Sequence, residues 1–210
     1  MIHILVADDH AIVRAGVKQI IADMPDVKVT AEASRGSEVI ELITNSTFDL
    51  VLLDIAMPGQ SGIEVLKQIK SLKPELPVLM LSIYPEEQYA IRALRAGSAG
   101  YLTKESAPAE LIKAIRSISR GKKYITASLA ESLADAVGNN NKDPHHKNLS
   151  DREFQVMCML ANGKTVSEIA KELNLSPKTI STHRTRLMRK MNMKKNSQLN
   201  RYAREYGLID

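Results

Sequence analysis

The stretch Asp49-Leu50-Val51-Leu52-Leu53-Asp54-Ile55-Ala56-Met57-Pro58-Gly59 decides the fold of this 210-residue chain. The aliphatic residues at 50–53 show no apolar–polar alternation, so both faces of the strand they form must be covered. That is the pattern of a central strand in a parallel sheet. The run ends on a carboxylate, Asp54, and breaks at Pro58-Gly59, a turn signal. A hydrophobic strand needs no acid at its end, which marks Asp54 as a candidate for chemistry.

Outward from this strand, strand and helix patterns alternate five times. Residues 2–7, 27–33, 50–54, 78–82 and 100–103 read as strands, and 10–23, 36–44, 62–72, 86–96 and 107–119 as helices. The first of these helices is expected to place Ile12, Val13, Val17, Ile20 and Ile21 on one face. Five β-α units with short connections imply a parallel sheet between two layers of helices, with right-handed crossovers. In such a sheet every strand's carboxyl end opens on one edge, where ligands bind at the switch in strand order. Asp8 and Asp9 follow the first strand, Asp54 ends the third, Ser82 the fourth, and Thr103-Lys104 the fifth. Singly, each has an ordinary reading as a cap, a turn acid or a surface charge. Jointly they bring three carboxylates, a hydroxyl and an amine to one rim. Clustered carboxylates repel unless a proton or a cation neutralises them, and hard oxygen ligands suit Mg²⁺. An acid beside Mg²⁺ and a lysine can accept a phosphoryl group.

Composition narrows the classes. Aromatic residues make up 4% with no Trp, which argues against a base-stacking platform for single strands. The single cysteine, Cys158, excludes an internal disulfide and fits a reducing compartment; it lies among Val156, Met157, Met159 and Leu160 as a small core residue. No basic-then-apolar leader and no membrane-length apolar run occur, so a cytoplasmic protein without membrane contact is expected. The net charge of +5 is unevenly spread: residues 1–148 hold 17 Lys/Arg and 18 Asp/Glu, residues 149–210 hold 12 and 6. A near-neutral domain joined to a small module that meets polyanions accounts for this asymmetry.

Residues 125–137 read as a short amphipathic helix, and 138–147, with no apolar residue, as a flexible linker in which His145-His146 are solvated. The expected domains are therefore 1–121, a linker at 122–148, and 149–210. In the last of these Ser150, with Glu153 three residues on, opens a helix running to about 161. Thr165 or Ser167 opens the next, Asn174-Leu175 is a tight turn, and Ser176-Pro177 opens a third helix to about 191. A fourth covers 197–205. Helix, short turn, helix is the helix-turn-helix unit. In the third helix Ile180, Leu187 and Met191 form the core stripe, with His183 structural at its border. Lys178, Thr182, Thr185 and Arg189 share another side, flanked by Ser181 and Arg186. Short hydroxyl side chains framed by cations suit a DNA major groove.

These motifs resemble a known family. Asp8-Asp9, the Asp54 strand followed by Met57-Pro58-Gly59 and Gly62, then Ser82 and Lys104, are similar to the receiver domain of two-component response regulators, over residues 1–120. The segment LSDREFQVMCMLANGKTVSEIAKELNLSPKTISTHRTRLMRKM is similar to the LuxR-type helix-turn-helix, over 149–206. Together they resemble the NarL/FixJ class. The resemblance implies an α/β flavodoxin-like (βα)5 receiver domain with a second, small all-α domain. It implies that Asp54 accepts a phosphoryl group from a sensor histidine kinase. Asp9, Asp54 and the Ala56 carbonyl then ligate Mg²⁺, with Asp8 assisting. Lys104 pairs with the phosphate, Ser82 moves to donate its hydroxyl, and Tyr101, the family's aromatic switch, fills the vacated space. On double-stranded promoter DNA, Ser181, Thr182 and Thr185 face bases, while Lys178, Thr179, Arg186, Arg189 and Lys190 lie near phosphates. A homodimer when active, RNA polymerase as a partner, and no enzymatic activity beyond the receiver's own phosphoryl transfer and dephosphorylation are also implied. One departure is local: Glu105 follows Lys104 where many receivers have proline. Two rival readings exist. A receiver-like docking module that regulates the DNA-binding domain without phosphorylation has the complete acceptor set against it. A haloacid-dehalogenase-type phosphatase needs a second acid two residues after Asp54, where this chain has Ala56.

Overall fold

The computed structural model describes residues 1–138 and 145–209. Residues 139–144, within the expected flexible linker, lie outside the described residues. The chain divides into two compact units, Met1–Ala130 and Glu131–Asp210.

In the first unit, β1 (Ile2–Ala7), β2 (Val27–Ala33), β3 (Leu50–Asp54), β4 (Val78–Ser82) and β5 (Gly100–Thr103) alternate with α1 (Ala11–Ala22), α2 (Gly36–Asn45), α3 (Gly62–Leu72), α4 (Glu86–Arg95) and α5 (Pro108–Ile118). The strands pair in parallel in the order β2-β1-β3-β4-β5. Every residue of β3 and β4 is buried, as their unbroken apolar runs require. The order reverses between β1 and β3, so the ends of those two strands flank the expected ligand crevice.

Two features of the β3–α3 connection follow from close backbone approach. A Cβ at Gly62 would lie 2.0 Å from the Asp54 carbonyl oxygen, so only glycine lets α3 begin there. Gly59 takes φ +85°, the left-handed turn conformation signalled by Pro58-Gly59. Ser61 and Glu64 then close a capping box on α3.

One helix face needs correction. Val17 and Ile21 of α1 are buried, but Ile12 is 82% exposed. At 100° per residue, Val13, Val17, Ile20 and Ile21 cluster on one arc, and Ile12 falls more than 120° from its centre.

After α5, α6 (Ala127–Gly138) leads toward the second unit, which contains a 3-10 turn (His145–Asn148), α7 (Asp151–Ala161), α8 (Val166–Glu172), α9 (Pro177–Lys190) and α10 (Asn196–Glu205). Ser150 and Glu153 form the expected capping box. Thr165, not Ser167, caps α8, with Glu168 completing a second box. Asn174, at φ +51°, supplies the left-handed residue that turns α8 into α9. Ile180, Leu187 and Met191 are buried as the core stripe.

His146 is not a solvated linker residue. Its Nδ1 lies 3.0 Å from the Tyr202 hydroxyl, and its ring packs 5.6–5.8 Å from those of Phe154, Tyr202 and Tyr206. Its hydroxyl partner stands 56 positions further along the chain, beyond the reach of local pattern. No helix among the described residues is long and apolar enough to cross a membrane.

Candidate functional site

The parallel register brings the strand ends of the first unit together. Asp54 closes β3, fully buried, and its Oδ1 accepts the Ala56 backbone N–H at 3.2 Å. Asp8 follows β1 and is also buried. Lys104 follows β5, and its backbone N–H donates to the Ser82 carbonyl at 2.7 Å, one step beyond the β4–β5 ladder. This ladder extension aims the lysine across the rim without a proline at position 105. Lys104 Nζ donates to Asp54 Oδ2 at 2.8 Å and lies 2.7 Å from Asp8 Oδ2.

Burial pushes the Asp54 carboxyl above its ordinary value, and the Asp8 charge adds to this, outweighing Lys104 and the Ala56 N–H. Burial pulls Lys104 down, but Asp54 and Asp8 more than offset it, and its ammonium is held above the usual lysine range. Burial leads in the first case, and in both the neighbouring carboxylates push in the direction of an excess of negative charge. Three carboxylates face one ammonium, and the remaining charge calls for a cation. Ligand-capable atoms of Asp8, Asp9, His10 and Asp54 lie within 4.8 Å of one another. Lys104 occupies the Oδ2 atoms of Asp8 and Asp54, while their Oδ1 atoms accept the His10 and Ala56 backbone N–H groups and keep a lone pair for an ion. Without the His10 nitrogen, the three aspartates form an all-oxygen set, which fits Mg²⁺.

Two residues at the rim escaped sequence reasoning. His10 donates its backbone N–H to Asp8 Oδ1 at 2.9 Å, and its Nδ1 lies 2.8 Å from Asp9 Oδ1. Arg14 Nη1 donates to the Asp8 carbonyl at 2.7 Å while its Nε donates to Glu32 at 3.0 Å, which ties the acidic loop to α1 and β2. For His10, the position directly after Asp8-Asp9 was the available signal.

Ser82 is buried, and its hydroxyl oxygen accepts the Tyr84 backbone N–H at 3.0 Å. The Tyr101 side chain reaches the same loop. The ring is already fully buried, with its hydroxyl donating to the Tyr84 carbonyl at 2.8 Å. Burial raises its phenol far above the ordinary range, so it remains a hydrogen-bond donor.

In the second unit, Lys178, Ser181, Thr182, Thr185, Arg186 and Arg189 line one shallow hollow on α9. All six are exposed. Thr179 and Lys190 stand apart from them. The Thr179 hydroxyl lies 2.8 Å from that of Ser176, at the helix cap. Lys190 Nζ donates to the buried Glu153 at 2.6 Å, tying α9 to the start of α7. Arg184 is likewise structural, donating to Asn196 at the start of α10.

Comparison with known proteins agrees with both halves. Residues 4–116 match the family model "Response regulator receiver domain", and 147–203 match "Bacterial regulatory proteins, luxR family". The chain is 36% identical to the response regulator UvrY of Escherichia coli K12, covering all of this chain and 97% of that one. It is 34% identical to the response regulator GacA of Pseudomonas aeruginosa, covering all of this chain and 99% of that one. Among solved structures it resembles RcsB of Salmonella enterica serovar Typhimurium bound to the promoter rprA with the phosphomimetic BeF3⁻, with a TM-score of 0.66 at 29% identity, covering 96% of this chain and 98% of that one. The rim of acids beside a lysine, and the basic helix face, thus occur together in a chain that belongs to the response regulators of the NarL/FixJ class, with a receiver domain and a LuxR-type helix-turn-helix.

Proposed function

We propose that this chain is a transcription regulator switched by phosphorylation of Asp54. The observation that carries the reading is the Lys104 ammonium lodged between Asp54 and Asp8 at the mouth of a buried acidic rim. A phosphohistidine of a sensor kinase would present its phosphorus to an Asp54 carboxylate oxygen. The new P–O bond forms as the P–N bond breaks, and the electron pair leaves with the imidazole. Lys104 balances charge on the transferred oxygens. Asp9, Asp54 and the Ala56 carbonyl would hold Mg²⁺, with Asp8 assisting, and the ion supplies the remaining neutralisation.

The acyl phosphate adds about −1.5 to −2 charges, by analogy with other phosphorylated side chains. Turning to donate to it, Ser82 gives up the Tyr84 N–H. Tyr84 and Pro85 lead directly into α4, whose first residue, Glu86, accepts a hydrogen bond from the Thr126 hydroxyl at 2.5 Å. Thr126 is also the cap of α6: its Oγ1 accepts the Leu129 N–H at 3.2 Å. A shift of the 82–86 loop would therefore reach the first turn of the connecting helix through one side-chain contact. The active form would be a two-fold dimer reading half-sites about one DNA turn apart, with RNA polymerase as its partner at the promoter.

The test is covalent. Incubation with acetyl phosphate and Mg²⁺ should retard the wild-type chain on a Phos-tag gel and leave Asp54→Asn unshifted. A shift that survives in Asp54→Asn would place the acceptor elsewhere.

A further inference from the structure

The recognition face of α9 carries two threonines whose hydroxyl protons are already committed. Thr182 Oγ1 donates to the Lys178 carbonyl at 3.0 Å, and Thr185 Oγ1 donates to the Ser181 carbonyl at 3.0 Å. Both side chains are exposed, and both line the hollow framed by Lys178, Arg186 and Arg189. A hydroxyl that spends its proton on the preceding helical turn keeps only its lone pairs for a ligand. Each threonine therefore offers the groove a hydrogen-bond acceptor and, beside it, a methyl group. The cations nearby offer donors only.

That pairing selects among base pairs. In the major groove, an acceptor needs an exocyclic amino group, which adenine N6 and cytosine N4 supply. A methyl group finds its apolar counterpart only in the C5 methyl of thymine. One base pair, A·T, displays both the amino group and the methyl. G·C offers the amino group alone, and guanine's own groove edge presents only acceptors, which would repel the threonine oxygen. Thr182 and Thr185 stand three residues apart on the helix and so sit over neighbouring base pairs.

Resting on the DNA-binding role of α9 proposed above, we infer that Thr182 and Thr185 are specificity-determining residues that read adjacent A·T pairs, through their oxygens to adenine N6 and their methyls to thymine C5. The flanking Lys178, Arg186 and Arg189 then hold the backbone without choosing sequence.

The two contacts can be removed independently, from either side. The full-length chain, treated with acetyl phosphate and Mg²⁺, is used to select sites from random double-stranded DNA. Adjacent A·T pairs should be enriched in each half-site. Replacing the relevant adenine by purine riboside's deoxy analogue removes the amino group, and replacing thymine by deoxyuridine removes the methyl. Each should weaken wild-type binding by about three- to tenfold, the worth of one neutral contact. Thr182→Val keeps the methyl and loses the acceptor, so it should become indifferent to the purine change yet remain sensitive to deoxyuridine. Thr182→Ser should show the reverse. Both variants are surface changes, and an unaltered salt dependence would show that the backbone contacts persist. Selected sites with G·C at the positions that respond to Thr182 and Thr185, or variants with the same base-analogue sensitivities as wild type, would overturn the inference while leaving α9 as the DNA-binding element. Failure to select any sequence would overturn the DNA-binding reading beneath it.

Discussion

Asp54 is a buried carboxylate held beside a second one, and that arrangement has a cost in the metal-free protein. Its carboxyl lies above the ordinary value because burial and Asp8 disfavour the anion. A group with a raised folded-state value stabilises the fold at low pH and loses that contribution as pH rises through the folded value. Once ionised, the carboxylate is therefore destabilising, and Asp54→Asn is expected to stabilise the receiver by about 1–2 kcal/mol, roughly 4–8 °C in melting temperature, in EDTA. The gain should vanish in acid and shrink when Mg²⁺ stabilises the wild type. Calorimetry at pH 4 and pH 7.5 would reveal the sign. At the other end of the chain, Lys190 and Arg189 are neighbours with different jobs. Burial pulls the Glu153 carboxyl up, but Lys190 and Ser150 outweigh it and hold it below its ordinary value. This pair contributes above the ordinary carboxylate range and is lost as pH falls through the lowered value. Lys190→Ala should cost the second unit about 1 kcal/mol, discounted because the lysine remains partly exposed. Arg189→Ala should leave stability unchanged, weaken all DNA sequences alike and reduce the salt slope by about one. Denaturant titration beside a salt series separates the two.

At the scale of elements, the first turn of α6 is the piece that, on the proposal above, would link phosphate chemistry to the rest of the chain. Thr126→Val keeps the side-chain volume and removes both the cap and the bond to Glu86. We expect the ratio of DNA affinities with and without phosphodonor to fall by at least about threefold while the rate of phosphorylation stays unchanged. An unaltered ratio would show that the signal bypasses this contact. Much of this architecture was readable in the chain itself. β3 and β4 declared their position through unbroken aliphatic runs, and the strand-end residues Asp8, Asp54, Ser82 and Lys104 met on one rim because a parallel sheet leaves them no other place. Caps at Ser150 and Ser176 followed from local chemistry. What was hidden depended on orientation or on distance in sequence. Ile12 sits beside a core stripe without belonging to it. His146 finds Tyr202 56 residues away, and Lys190 finds Glu153 37 residues away. The burial of the Tyr101 ring was likewise not legible in its short strand.

For the molecule as a whole, two compact units divide acceptance and delivery of a signal. The first carries an acidic rim in a near-neutral domain, and the second carries the excess positive charge. Association with DNA is thus expected to be steered by the second unit and steeply weakened by salt whether or not Asp54 is modified. Phosphorylation is expected to add specificity or dimer affinity on top of that background, a coupling of the size typical between sites, about 5- to 150-fold. The most direct test of this account is selection of genomic fragments by the full-length chain, with and without acetyl phosphate and Mg²⁺, for wild type and Asp54→Asn in parallel. The account predicts sharply enriched sites for phosphodonor-treated wild type and only weak, salt-sensitive background for Asp54→Asn under either condition. Equal enrichment of the same sites by Asp54→Asn and wild type, with no response to phosphodonor, would contradict it.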